Sequence, residues 1–293
     1  MLRRLCLLTL AACAMSLAAN INIAVSPQID TTVGLQGRLN LFMSTSFQPA
    51  EWDATFFQTF PQQTVTLGQL VPQHINVQSL SQALAQTGPD TWDFSLNNAV
   101  NQRILRTADH NPLYEIAIAP AFMQTNGALV PANFPQFATY SANLVRYFNT
   151  GGFDAGGTHY QSPSPYHISW WGIYNEPNGN GIAAADYPTL YNTVVPAMQA
   201  VDPTLKFVAV ELSDYTGQAA SYLPPFIQNV NARVDVVATH FYGSCNQSDP
   251  DTAVFGDIST FVSEMQEIRT TKVFGLQLDS RALVGEIPVS VTL

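Results

Sequence analysis

The sequence is poor in charge, in lysine and in cysteine. Charged residues make up 11% of its 293 residues, less than half of the roughly 25% of an ordinary soluble domain. There are only two lysines, Lys206 and Lys272, and the formal net charge is −10. This balance argues against nucleic acid or an anionic membrane as a partner. Hydrophobic residues make up 46% of the chain, which predicts an acidic globular protein rather than a disordered one.

The cysteines also limit the chemistry. Cys6 and Cys13 belong to the N-terminal segment described next, so only Cys245 remains in the mature chain. A single cysteine forms neither an internal disulfide nor a zinc cluster. The remaining histidines have no metal-ligand spacing, and we expect no metal and no cofactor. They are His74, His110, His159 and His167, with His240 considered below.

The first 18 residues have the three parts of a secretory signal peptide. A short basic segment precedes an uncharged, largely apolar stretch over residues 5–17, followed by small residues. The stretch is too short to span a bilayer, and no later segment reaches 18 apolar residues. We expect a signal peptide over 1–18, a single domain over 19–293, and a secreted or periplasmic protein. Cys13 lies in a sequence like a lipoprotein cleavage box, so lipid anchoring there is the alternative.

Seven short apolar segments are predicted as β-strands, and amphipathic helices lie between several of them. The helices are predicted over 137–148, over 187–201 with Asp186 as cap and Asp202-Pro203 as stop, and over 258–268. The strands are predicted at Arg38–Met43, His74–Val77, Leu113–Ala119, His167–Tyr174, Leu205–Glu211, Val234–Phe241 and Lys272–Leu278. Continuous apolar strands that alternate with helices indicate an α/β fold with a parallel sheet. Seven strands in about 250 residues favour a (β/α)₈ TIM barrel with the eighth strand missing or incomplete. A doubly wound sheet is the alternative, but no strand is followed by a Gly-rich phosphate loop.

The fourth strand ends in a concentration of polar residues. Pro177 cannot join a strand ladder, so pairing stops there and Glu176 lies at the mouth of the barrel beside Asn175. In a barrel, chemistry takes place at the carboxyl ends of the strands. Glu211 ends the fifth strand and could line the same cleft, whereas Glu115 begins its strand and is interpreted as structural.

The sixth strand ends with His240 and Tyr242, which lie on one face because they are two residues apart. Trp170 and Trp171 point in opposite directions along the fourth strand, so at most one of them faces the mouth. A carboxyl group, amides, an imidazole, a phenol and an indole at one rim suit a carbohydrate, which needs polar contacts to hydroxyls and an apolar platform for its ring.

Several of these segments resemble glycoside hydrolase clan A, and most closely family 39, the β-xylosidase and α-iduronidase type. The resemblance covers roughly residues 35–245, and its segments occur in the family's order and spacing. They are Trp92-Asp93-Phe94, Tyr114–Pro120, Asn175-Glu176-Pro177, Val201–Lys206 and Val234–Gly243.

The resemblance implies a retaining β-glycosidase. Glu176 matches the family's general acid/base, and Asn175 matches the residue that holds the sugar 2-hydroxyl. A second carboxylate about 5–5.5 Å from the first would act as the nucleophile. Trp171, His240 and Tyr242 are the further substrate-binding residues that we predict.

The sequence departs from the family in its seventh strand. The nucleophile should be a glutamate at the end of this strand. Aligning Phe274 with the family's aromatic residue puts Gln277 at that position, and an amide cannot form the covalent glycosyl ester. Asp279 and Glu286 are possible substitutes if the register shifts. Few residues follow for an eighth strand, so the C-terminus is expected to be truncated or altered. The alternative function is a non-catalytic, carbohydrate-binding barrel that has lost its nucleophile.

Overall fold

The computed structural model describes residues 44–46, 55–63, 65, 74–78, 84–101, 113–213 and 219–239. Six parallel strands form the main sheet of this part of the chain, and they lie in the sheet in the order in which they occur in the sequence. The strands are β1 (Ser44–Ser46), β2 (His74–Gln78), β3 (Leu113–Ile116), β4 (Trp170–Ile173), β5 (Lys206–Leu212) and β6 (Val236–Thr239). The helices are α1 (Phe56–Thr59), α2 (Phe134–Asn149), α3 (Tyr187–Gln199) and α4 (Leu223–Asn229).

Helices α2, α3 and α4 connect β3 to β4, β4 to β5 and β5 to β6. A parallel sheet in sequential order with a helix after each strand is the pattern of a (β/α)₈ barrel, whereas a doubly wound sheet reverses its strand order at a switch point. The first strand is found at Ser44–Ser46. Its predicted range, 38–43, lies outside the described residues, as do the predicted strand at 272–278 and the predicted helix over 258–268.

Helix α3 begins where its apolar periodicity predicts, but Asp186 does not cap it with its side chain. The backbone of Asp186 is already helical, whereas a capping residue usually has extended backbone angles. The carbonyl of Ala183 accepts the N–H groups of Asp186 and Tyr187 instead. A preceding backbone turn therefore takes the place of the predicted cap.

The strand register separates the two faces of the sheet. Val77, Tyr114, Trp171 and Phe207 form one row across β2 to β5, and none of them is exposed. The ring centroid of Tyr114 lies 5.3 Å from that of Phe148 on α2, so this row belongs to the helix-covered face. Burying each of these large side chains contributes about 1.5–3 kcal/mol. The opposite face, which carries Glu115, Gly172 and Val208 in register, is the interior of the barrel.

Within the described residues, three β-hairpins lie outside the main sheet, and the sequence pattern does not predict them. The aromatic residues of two hairpins pack together, with the ring centroids of Trp92 and Phe153 4.7 Å apart. The hairpins pair Gln86–Gly88 with Thr91–Trp92, Gln124–Thr125 with Ala128–Leu129, and Phe153–Ala155 with Thr158–Tyr160. The described residues also include 3₁₀-helices at Ala121–Met123, Pro131–Asn133 and Ala219–Tyr222 and a π-helical turn at Asn97–Asn101. No helix in the described ranges is long and apolar enough to cross a membrane.

Candidate functional site

The backbone after β4 holds the predicted acid/base between two neighbouring strands. The N–H of Asn175 donates to the carbonyl of Ala117 at 3.0 Å, and the N–H of Glu176 donates to the carbonyl of Glu211 at 2.9 Å. Asn175 is buried and Glu176 is half-buried. Glu176 therefore lies at the carboxyl end of the sheet, as predicted, with its backbone fixed to the end of β5.

Left-handed backbone angles are concentrated at this position. Tyr174 and Glu176 have φ values of 72° and 45°, and Val210 and Glu211 have values of 78° and 40°. Among the described non-glycine residues, only Asn126 shares this conformation. Each such residue costs about 1–3 kcal/mol, and such residues cluster at functional sites. Four of the five described non-glycine residues in this conformation therefore lie at the ends of β4 and β5, where the backbone is locally strained.

Side chains also fasten the loop over residues 176–182 to its surroundings. The amide of Asn178 donates to the hydroxyl of Ser213 at 2.7 Å and accepts the N–H of Ser213 at 3.0 Å. The amide of Asn180 donates to the carbonyl of Asn175 at 2.8 Å. These bonds leave little freedom to the segment that carries Glu176.

The side chain of Asn175 has an unused acceptor. Its Oδ1 atom is buried, and no described residue donates a hydrogen bond to it. Leaving a buried acceptor without a partner costs about 1–3 kcal/mol. A ligand hydroxyl would recover that free energy.

Two buried carboxyl groups lie beneath the same strand ends. Glu115 is unexposed, and Glu211 is 3% exposed. A Cβ atom added to Gly172 would lie 2.5 Å from Oε2 of Glu211, so the carboxyl of Glu211 fills the space that a side chain on Gly172 would need. Burial, followed by the negative charge of Glu115, raises the pKa of Glu211 well above its ordinary value. Glu115 is the third residue of β3, near its carboxyl end, because the strand ends at Ile116 rather than at Ala119 as predicted.

Tyr187 bridges the gap between β4 and β5. Its hydroxyl accepts the N–H of Val210 and donates to the carbonyl of Ile173, both at 2.8 Å. Ladder pairing between these strands is recorded only as far as Gly172 and Val208. Complete burial raises the pKa of Tyr187 well above 10, and the charges of Glu211 and Glu115 add to this shift. The tyrosine therefore remains a neutral hydroxyl that satisfies both backbone groups.

The prediction for Trp171 is corrected by the structure. Its indole lies on the helix-covered face, with no exposed surface, and its Nε1 donates to the carbonyl of Ile168 at 3.1 Å. A side chain without exposed surface cannot stack on a sugar ring. Neighbouring residues in a strand point to opposite faces, but the sequence does not indicate which face the helices cover.

The substrate-binding candidates His240 and Tyr242 lie outside the described residues. The same holds for the three nucleophile candidates Gln277, Asp279 and Glu286.

Sequence reasoning missed the bridging role of Tyr187 and the pairing of Asn178 with Ser213. Neither has a sequence signal, since each depends on two strand ends meeting. Glu115 and Glu211 did have a signal, because each interrupts an otherwise apolar strand.

No family model matches the sequence, and no curated protein matches it. Solved structures do match it. A family 39 β-xylosidase from Caulobacter crescentus is 18% identical with a TM-score of 0.51, covering 80% of this chain and 51% of that chain. A family 51 α-L-arabinofuranosidase from Bifidobacterium longum is 12% identical with a TM-score of 0.50, covering 78% and 48%.

The chain has the fold of these glycoside hydrolases. The predicted (β/α)₈ class and the predicted likeness to family 39 are confirmed at the level of the fold. The chain spans about half the length of the structures that it matches.

Proposed function

We propose that the chain is a secreted retaining β-glycosidase that hydrolyses O-glycosidic bonds of oligo- or polysaccharides. Glu176 protonates the departing glycosidic oxygen and then deprotonates the water that releases the sugar. Asn175 binds the hydroxyl next to the reacting carbon. Neither step requires a metal or a cofactor.

One observation carries the proposal. Asn175 and Glu176 lie together at the carboxyl end of β4, and no described residue donates to the buried Oδ1 of Asn175, in a chain with the fold of family 39 and family 51 glycosidases. A sugar 2-hydroxyl would supply this donor, and its hydrogen bonds strengthen as the transition state develops. The β-xylosidase among the structural matches favours a β-xyloside as the substrate class.

In this proposal the nucleophile comes from the end of the predicted seventh strand, outside the described residues. We do not assign this role to the other described glutamates, Glu115 and Glu211, which are 0% and 3% exposed. Asp279 and Glu286 are the two candidates from the sequence. If Gln277 instead occupies the nucleophile position, the chain is a carbohydrate-binding barrel without turnover. That substitution favours this second function.

The test is the hydrolysis of 2,4-dinitrophenyl and phenyl β-glycosides by the full chain, with and without azide. We expect activity without azide, and we expect Glu176→Gln to reduce kcat/KM for the phenyl glycoside by about 10²–10⁴-fold. The dinitrophenyl leaving group needs no proton, so azide should restore its turnover in Glu176→Gln and give the β-glycosyl azide. Asp90→Asn, on an exposed hairpin turn, is the matched control.

The two functions give different results in this assay. If the wild-type chain works only with azide and releases the inverted glycosyl azide, the site lacks its nucleophile. If the folded chain is inactive under both conditions but retains an oligosaccharide on an affinity column, the binding barrel is correct. An equal loss in Glu176→Gln and Asp90→Asn would contradict the role of Glu176.

We also propose that residues 1–18 direct export, on the basis of the N-terminal sequence. The mature N-terminus of the secreted protein should begin near residue 19. If the protein carries lipid instead, and Cys13→Ser removes it, the lipid-anchored alternative is correct.

A further inference from the structure

The interior carboxyl pair, Glu115 and Glu211, has no role in the proposed reaction. The register places Glu115 of β3 beside Gly172 on the interior face. The carboxyl of Glu211, which comes from β5 on the other edge of β4, lies over Gly172. A Cβ atom on Gly172 would lie 2.5 Å and 2.8 Å from its two oxygens. A side chain at position 172 would therefore displace this carboxyl from its place.

Glu211 is also the residue at which β5 departs from regular geometry. The pairing of β5 with β6 shifts register between Val210 and Leu212, which leaves Glu211 as the extra residue of a bulge. Bulges redirect side chains and occur next to active sites. A left-handed conformation is unfavourable for the β-branched Val210, so surrounding contacts must hold this turn in place.

Two contacts hold the turn on opposite sides. On the helix side, the hydroxyl of Tyr187 accepts the N–H of Val210. On the interior side, the buried carboxyl of Glu211 packs over Gly172. Between them, the carbonyl of Glu211 accepts the N–H of Glu176 at 2.9 Å.

We infer that Glu211 is a positioning residue for Glu176. Its carboxyl anchors the bulge, and the bulge carbonyl sets the backbone, and hence the carboxyl direction, of Glu176. The inference rests on the proposed role of Glu176 as general acid/base. Glu211 does not touch the substrate, because only 3% of it is exposed.

The form of Glu211 that does this is the neutral acid. Burial and the charge of Glu115 raise its pKa, and two buried carboxylates do not both ionise at close range. A neutral carboxyl has nearly the same shape as a glutamine amide, and both carry a carbonyl acceptor, a hydrogen-bond donor and no charge. Glutamine should therefore replace Glu211 well, whereas alanine should release the turn.

The experiment compares two leaving groups on the β-glycoside that the wild-type chain cleaves. Misplacing a general acid slows departure of phenol, which needs a proton, but not of dinitrophenol. For Glu211→Ala, we expect kcat/KM to fall about 30-fold with the phenyl glycoside and less than about threefold with the dinitrophenyl glycoside. Glu211→Gln should remain within about threefold of the wild-type values for both.

Asp202→Ala is the matched control, because it removes another buried acid that lies before β5 rather than at its end. It should leave the ratio of the two kcat/KM values unchanged. An equal fall with both substrates in Glu211→Ala would show a merely structural role and overturn the inference. If kcat/KM fell as much in Glu211→Gln as in Glu211→Ala, the inference would also be overturned, because activity would then require an ionised carboxylate at this position.

A second measurement does not depend on turnover. The carboxyl ¹³C resonance of Glu176, assigned by its absence in Glu176→Gln, should move in Glu211→Ala and return in Glu211→Gln. If the wild-type chain cleaves neither glycoside, the proposed function fails, but this resonance still decides the inference. An unmoved resonance in Glu211→Ala would overturn it.

Discussion

The buried acids at the two ends of the parallel sheet differ in their hydrogen bonding. At the amino ends, the carboxylate of Asp202 accepts hydrogen bonds from the backbone and hydroxyl of Thr204, from Asn149 and from His167, at 2.6–3.2 Å. At the carboxyl ends, no described residue donates to Oε2 of Glu211, which lies over Gly172.

The pKa values follow this difference. Burial opposes ionisation of Asp202, but the hydrogen bonds from Thr204 and Asn149, with the charge of His167, outweigh it and lower the pKa. Burial and Glu115 raise the pKa of Glu211. The amino end therefore uses its acid for stability. The carboxyl end tolerates an unfavourable arrangement, as sites under functional constraint do.

Asp202→Ala gives the largest expected loss of stability. It removes the acceptor of four hydrogen bonds at a residue that is itself only 7% exposed, and we expect the free energy of unfolding to fall by about 3 kcal/mol. Urea unfolding measures this loss. Asp90→Ala, at an exposed position, should stay within about 0.5 kcal/mol of the wild type. An equal fall in the free energy of unfolding of the two variants would contradict the stabilising role of Asp202 at the amino ends of the strands.

Gly172→Ala tests the packing at the carboxyl ends of the strands. The new methyl group would lie 2.5 Å from the carboxyl of Glu211, and because this carboxyl is buried, its displacement should cost about 2 kcal/mol. Gly88→Ala is the matched control. The nearest atoms there belong to Thr91 at 3.6 Å and 3.7 Å, so the substitution should be neutral or stabilising by up to about 1 kcal/mol. A neutral Gly172→Ala would show that the Glu211 carboxyl moves freely.

The pH dependence of stability should differ in sign at the two ends. A raised pKa in the folded state means that the contribution of Glu211 is fully present below its ordinary value of 4.5 and is lost as the pH rises through the folded-state pKa. Glu211→Gln should therefore gain stability relative to the wild type between pH 4.5 and 8. The pKa of Asp202 is lowered, so its contribution to stability is present above its ordinary value of 3.8 and is lost as the pH falls below that value.

Urea unfolding at pH 4.5, 6 and 8 tests this difference. Asp202 is ionised in both states throughout this range, so its own ionisation adds no pH dependence to the offset of Asp202→Asn from the wild type. A constant offset for Glu211→Gln would contradict the assignment of its neutral form.

Much of this frame follows from the sequence alone. Continuous apolar segments place β2 to β6, and the apolar periodicity places α2 and α3 within a few residues. The position of Glu176 at a strand end follows from Pro177, which cannot continue the ladder. These features are local, so local patterns predict them.

The geometry of the site is not local. The bulge at Val210–Glu211 places a β-branched residue in a left-handed conformation, which no propensity suggests. It exists because contacts from β4 and α3 impose it. The side to which Trp171 points likewise depends on which face of the sheet the helices cover. The sequence therefore shows which acidic residues interrupt the apolar strands, but it does not show which of them is ionised in the folded protein.

The smallest effect is expected where an acid is exposed. In the hairpin Phe153–Tyr160, Nδ1 of His159 lies 2.8 Å from Asp154, and this bond, followed by one to the carbonyl of Gly151, raises the pKa of His159 above 6.5. The hairpin is therefore stabilised below pH 6.5, and this stabilisation is lost as the pH rises through the raised pKa. Their side chains are 52% and 83% exposed, so water screens the pair.

Amide exchange in this hairpin, corrected for intrinsic rates, should show less protection at pH 8.5 than at pH 6. His159→Gln should remove that difference and leave the free energy of global unfolding unchanged. If the free energy of global unfolding instead changed with pH as strongly as we expect for Glu211, the size of such pH effects would depend on the contact with a carboxyl group and not on burial. A change confined to the hairpin would show that burial determines their size, because only the buried Glu211 would then affect the stability of the whole fold.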